Sequence, residues 1–423
     1  MHSVKLLRNL SEKWSLLFSV LLICCGPLYG SWCVLTSFII LLYRMFAYDI
    51  NSFIIDLVTI ISFSAIYKLN PNGVSLVLYY IFVADAFFII KGKFKNIGII
   101  ILLLYFFAYL FLRSDLVYNQ YLTIIASLLL LAVLTCNISP YNLNTILWYY
   151  CFGLSISICY GWIFKDSSIL FPYLNESIQV SNDIDVIRFK GLFADPNYLG
   201  TFCTLGLSLI LQRYLLNLQV NGYLIFVFII CIASVLTLSK SVIIQVIFLL
   251  VILIIYSWRN KSTSIALITT LCLLLFAYYA NTNQVSALAI VFERFEEGSS
   301  MSEITTGRSD LWQVYLSDIF SSLNTFLLGH GFSANLLDKG THNIILEILY
   351  YTGFIGLLSV LVVFYSLFNY MSKRYAIRTS LIKFLPMIVL FISYLALQGF
   401  FSFAFYVQIF IVFAFCLTDQ RYA

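Results

Sequence analysis

The stretch from Thr306 to Glu347 contains Arg308, His330 and His342, so two of the chain's three histidines fall within it. A guanidinium group bonds two phosphate oxygens at once. Histidine titrates near neutral pH, which suits it to take a proton from a hydroxyl. Thr341 reads as a helix cap, with His342 at the first helical position and Asn343 at the second. Glu347 follows one turn deeper and faces Asn343 at four-residue spacing. A carboxylate at that depth needs a partner or a role. His342 is therefore a candidate general base; the alternative is an interfacial histidine that only bonds a neighbour. His330, between Gly329 and Gly331, reads as a turn residue.

A second cluster lies in RFKGLFADPNYLGTF. Asp195-Pro196 is a helix start, with Asp as cap and Pro in the first turn. The unpaired backbone N–H groups there, beside Arg188 and Lys190, make an anion site with Asn197 at its edge. The alternative for Arg188 is a pair with Asp183 or Asp185. Lys240, in TLSKSVI, sits at a tight turn between two apolar runs, where a lysine commonly anchors at the interface. Asp183 and Asp185 have the spacing of a metal pair, but such spacing is common by chance, and no metal is expected. No phosphate-cradling loop, zinc helix or nucleophile elbow is present.

These residues have to be positioned by a chain that is 62% hydrophobic and 10% charged over 423 residues. No soluble interior of this size buries so much apolar side chain, so the class is an all-α polytopic integral membrane protein. The first apolar block, Trp14 to Tyr43, is interrupted by Gly26-Pro27 and Gly30 and reads as two short spans. Further spans are expected at about 52–67, 74–90, 97–112, 121–136, 145–164, 197–212, 223–238, 242–257, 263–280, 342–371, 381–398 and 401–418. That makes about 14 transmembrane helices, with both termini on one side. The chain divides into N-terminal spans (1–164), a first long loop (165–196), central spans (197–280), a second long loop (281–341) and C-terminal spans (342–423).

Lysine and arginine concentrate in the segments on the side of the termini, Arg44, Arg213 and Lys383 among them, so both long loops face outward. From Ser309 to Leu323 an amphipathic helix is expected in the interface plane, with Leu311, Tyr315, Ile319 and Leu323 on one face and Asp310, Gln313, Ser317 and Ser321 on the other. Asp56 and Asp85 fall within spans and should face the bundle interior, Asp85 beside a lysine from 91–95. The ten cysteines lie in apolar spans and read as small packing residues. The basic start MHSVKLLRNLSEKW reads as a cytoplasmic leader into the first span, without a cleavage pattern. The net charge of +5 is scattered beside spans and gives no reason to expect nucleic acid.

The pieces RFKGLFADPNYLG, TLSKS, GRSDLW, LGHGF and THNIILEILYYTGFIG occur in an order that resembles the O-antigen polymerase and O-antigen ligase superfamily. The resemblance covers roughly Arg188 to Gly356, and the first seven spans match only in being hydrophobic. It implies a C-type glycosyltransferase bundle in the bacterial inner membrane, acting on its periplasmic side without an essential metal or cofactor. The implied reaction is inverting transfer of a growing glycan from undecaprenyl pyrophosphate to a lipid-linked repeat unit. Membrane lipid and a chain-length regulator are the further partners it suggests. Arg188 and Arg308 match the family's loop arginines on the pyrophosphate, and His342 its late histidine. Lys190, Asn197, Asn343 and Glu347 are expected to complete the substrate site. Lys240 stands where many members carry Arg; the charge is kept but the fork is lost. A ligase, with lipid A core as acceptor, shares the donor. A lipid flippase or transporter is the alternative of another class, although no internal repeat is visible.

Overall fold

A computed structural model describes residues 2–70, 73–90, 118–137, 143–164, 167, 175–181, 184–193, 195–216, 218, 220–260, 308–331, 340–374, 381–397, 399 and 402–417. Among these the chain is almost entirely helical. The first helices are α1 (His2–Tyr29), α2 (Ser31–Ala47), α3 (Ile50–Ile60), α4 (Leu76–Ile90), α5 (Tyr118–Asn137) and α6 (Leu143–Ile163). A hairpin of β1 (Asn175–Ser181) and β2 (Ile184–Phe189) follows. Then come α7 (Pro196–Leu215), α8 (Leu224–Leu236), α9 (Lys240–Asn260), α10 (Arg308–Ile319), α11 (Leu323–Leu328), α12 (Ile344–Arg374), α13 (Leu381–Tyr394) and α14 (Phe403–Leu417). Ser11–Tyr29, Leu143–Ile163 and Ile344–Lys373 are each long and apolar enough to cross a bilayer, and eight shorter apolar helices accompany them among the described residues. The expected stretches at about 97–112 and 263–280 lie outside the described residues; the others coincide with described helices.

The first apolar block does split in two. Gly30, with φ 104, separates α1 from α2. The helices then fold back antiparallel, which brings Ser11 against Tyr48 and Ser15 against Arg44. Trp14, Phe18, Trp32 and Ile39 point outward as an exposed apolar face, as lipid-facing helices require. Inside, Arg44 on α2 meets Asp56 on α3 at 2.7 Å, with both side chains almost fully buried. Tyr80 on α4 donates to the same carboxylate at 3.3 Å, and Arg44 also donates to the Glu12 carbonyl. Asp85 is buried too, and neither of its oxygens has a hydrogen-bond partner among the described residues. Residues 91–95, its expected partners, are outside them.

Arg44, Arg213 and Lys383 are all buried, Arg44 against Asp56 and Arg213 against Asn144. Two sequence expectations need correcting. The first loop is not wholly irregular, since β1 and β2 pair antiparallel across residues 182–183. Among the described residues the chain is therefore helical with one small hairpin. Of the described cysteines, Cys24, Cys151, Cys203 and Cys416 are buried, but Cys159 is exposed, and none of those described is paired.

The α12 helix is broken at Gly353 (φ 65, ψ −172), and the break frees the carbonyls of Tyr350 and Tyr351. The turn after α11 fills the gap: His330 N–H donates to Tyr350 at 2.9 Å, and Gly331 N–H to Tyr351 at 3.0 Å. Gly353 and Gly329 make this possible, because a Cβ on Gly353 would lie 2.4 Å from the Leu327 carbonyl oxygen. Gly353→Ala is therefore expected to undock α11 and lower stability by about 1–3 kcal/mol. Thermal unfolding of the purified variant in detergent checks this, and an unchanged melting temperature would contradict it.

Candidate functional site

Arg188 ends the hairpin that leads into α7. Its Nε donates to the Thr237 carbonyl at 2.8 Å and its Nη2 to Asn197 Oδ1 at 3.0 Å. It is 6% exposed, so these bonds fix the guanidinium where β2, the start of α7 and the end of α8 meet. The Phe193 N–H closes a turn onto the Lys190 carbonyl, and Ala65 N–H donates to the Leu192 carbonyl, so this segment is tied to the end of α3. Asp195 caps α7 as expected, its Oδ1 accepting the Asn197 N–H at 2.6 Å, with Pro196 in the first turn. Thr237 lies three residues before Lys240, which opens α9. Leu238 between them takes the left-handed backbone (φ 48) that makes the turn tight.

Arg308 opens α10 and donates through Nη1 to the Ala396 carbonyl at 2.9 Å. Asn343 Nδ2 donates to the neighbouring Leu395 carbonyl at 3.3 Å. Glu347 accepts the Gly399 N–H at 2.8 Å. All three side chains thus hang on the turn that joins α13 to α14. The α10 helix is held beside them by Tyr315, buried edge-on against Tyr350 at 4.8 Å, and by Trp312, whose Nε1 donates to the Thr341 carbonyl at 2.9 Å. The apolar face of α10 is therefore spent partly on α12, while Phe320 and Leu323 beyond it stay exposed. Burial, then Glu347 nearby, raises the Tyr315 phenol above its ordinary value, so it stays a donor.

The helix start at 341–343 differs from the expectation. Helix α12 begins at Ile344, and its cap is Asn343, whose Oδ1 accepts the N–H groups of Ile345 at 3.0 Å and Leu346 at 3.2 Å. Thr341 instead braces Asn343 through its hydroxyl. His342 stands before the helix in the left-handed region (φ 48), a conformation costly for a residue with a Cβ. The short side chain of Asn343 folds back onto the first turn better than Thr341 can from two residues further away. The i to i+4 relation holds, with Glu347 N–H on the Asn343 carbonyl at 2.9 Å.

The two groups come to one end of the bundle because α7, which starts at Pro196, packs along α13, which ends at Tyr394. Behind them, the hydroxyls of Thr204 (2.7 Å) and Ser393 (2.9 Å) both bond Gln245 Oε1, locking α7, α9 and α13 together. No family model, curated protein or solved structure matches the chain. The geometry places Arg188, Lys190, Asn197 and Lys240 in one group and Arg308, His342, Asn343 and Glu347 in the other, both at one end of the bundle. Tyr198, Thr237 and the residues Leu395, Ala396 and Gly399 were not singled out from sequence, since nothing in their residue types marks them. His330 Nε2 lies 3.0 Å from Asp318 Oδ2, and its ring stacks on Tyr350, which fits a turn residue. No group of three metal-ligating side chains occurs among the described residues; Asp183 is outside them.

Proposed function

We propose that the chain is a polytopic inner-membrane glycosyltransferase with its site on the periplasmic side. In this reading it transfers a growing glycan from undecaprenyl pyrophosphate to a lipid-linked repeat unit. The carrying observation is that two arginine-bearing segments, distant in sequence, end at one mouth of the bundle, where Gln245 ties α7, α9 and α13 together. About 14 spans, with the two long loops on the outer face, complete the proposed topology. The donor's anomeric C–O bond breaks through an oxocarbenium-like state, and the electron pair leaves with the diphosphate. Arg188 and Arg308 take up that charge. His342, held before the helix and partly exposed, accepts the proton of the attacking hydroxyl. Asn343 and Glu347 orient it, and Lys190, Asn197 and Lys240 line the donor's path.

The test is incubation of purified protein with lipid-linked repeat units. Release of undecaprenyl diphosphate with lengthening of the glycan is expected; intact donor after prolonged incubation would end this reading. An acceptor of lipid A core in place of a second repeat unit tests the ligase alternative. The transporter alternative draws on the buried Arg44–Asp56 pair and Asp85. It predicts transbilayer movement of the lipid without turnover in the same preparation.

A further inference from the structure

The corner between α10 and α11 exposes an apolar surface that the sequence pattern does not predict. Tyr315 and Ile319, expected on the lipid face of α10, are buried against α12. What stays exposed is the flank with Leu316 and Phe320, together with Leu323 at the start of α11. Phe320 stacks on Phe326 at 5.3 Å, and Phe326 on Phe354 of α12 at 5.4 Å. The stack carries the exposed face from the corner onto α12. There it continues as Leu358, Leu361, Val362 and Tyr365, all exposed and on one helical face.

The length of α12 beyond the stack says what surrounds that face. From Phe354 the helix runs on to Lys373 and Arg374, a rise of about 30 Å at 1.5 Å per residue. The hydrocarbon core of a bilayer is about 30 Å thick. The part of α12 after the Gly353 break therefore crosses the core by itself, with two cations at one boundary and Phe354 at the other. The corner lies at the Phe354 boundary. Ser322 and Thr325 form a capping box that satisfies the backbone at the start of α11, so taking this turn out of water costs little. Asp310, Gln313 and Ser317 are exposed on the other side of α10, which keeps that side in water. We infer that the α10–α11 corner is a lipid-docking surface. Leu316, Phe320 and Leu323 sit among the glycerol groups and upper acyl carbons of the phospholipid leaflet nearest Arg308. Arg308, at the opposite end of α10, is thereby held within about 17 Å of that leaflet. The inference goes beyond the glycosyl-transfer reading and stands without it.

A fluorescent amino acid placed at Leu323 tests it in the full-length protein, held in nanodiscs of phosphatidylethanolamine and phosphatidylglycerol. The same probe at Ser317, on the side facing water, is the reference. Phospholipid with a nitroxide near the carbonyl end of its acyl chain is expected to cut the Leu323 emission about twofold or more. Aqueous iodide is expected to quench the probe at Ser317 and to spare the one at Leu323. Quenching by iodide as strong at Leu323 as at Ser317 overturns the inference. So does protection of Leu323 from both quenchers, because protein then covers the corner. Phe320 is the second probe position if the Leu323 variant fails to fold. Neither measurement requires turnover, so a negative result leaves the glycosyl-transfer reading intact.

Discussion

Arg308→Ala is expected to lower glycan extension by about 10²–10³-fold while the protein still inserts in the membrane. The guanidinium sits at the first residue of α10 and is anchored by the Ala396 carbonyl, so its position is fixed before any ligand arrives. A fixed cation opposite a departing diphosphate acts on the charge that develops in the transition state, which is where the largest electrostatic contribution lies. The fold should tolerate the change, because α10 is held by Tyr315 and Ile319 packed against Leu346 and Tyr350. Arg308→Lys keeps the charge but not the planar fork, one arm of which holds the Ala396 carbonyl, and should recover only part of the rate. Rates of undecaprenyl diphosphate release from equal amounts of folded protein measure this. Full-length glycan from Arg308→Ala would remove Arg308 from the site.

Arg44→Leu should destabilise the bundle by roughly 3–5 kcal/mol, because it leaves Asp56 buried with its charge partner gone. In the native protein that carboxylate receives Arg44 Nε at 3.0 Å and Nη2 at 2.7 Å, with Tyr80 adding a third donor. Removing both charges is a different matter. Arg44→Leu combined with Asp56→Leu replaces an ion pair by packed apolar groups, which is often close to neutral. The pair of variants therefore separates the cost of an orphaned charge from the net contribution of the bridge. Thermal unfolding in one detergent gives both. If the single variant melts like the wild type, the burial described for Asp56 is wrong.

Much of the helical layout was legible because hydropathy is a property of long windows. A run such as Leu143–Ile163 marks itself without knowledge of its neighbours. Asp195-Pro196 was equally readable, since a cap and its first turn are adjacent in sequence. The β1–β2 hairpin was missed because its alternation is short and sits in a stretch read as a polar loop, although only Asn182 and Asp183 separate Ser181 from Ile184 in the sequence. The cap at Asn343 was misplaced by two residues because Thr341 and Asn343 are both good caps, and only the backbone of His342 decides between them. The burial of Arg44 depends on Asp56, twelve residues away on another helix, and Arg308's anchor lies at Ala396. Pairings at that separation leave no trace in local pattern.

The turn between α13 and α14 carries a mechanical implication. Because Arg308, Asn343 and Glu347 each hang on one of its backbone groups, they cannot be repositioned independently. The turn itself is gripped from below by Tyr394, whose hydroxyl donates to Gln408 at 2.8 Å across the two helices it connects. That bond behaves like a clamp at the root of a three-pronged fork. Loosening it would spread all the tines at once, even though neither Tyr394 nor Gln408 reaches the mouth.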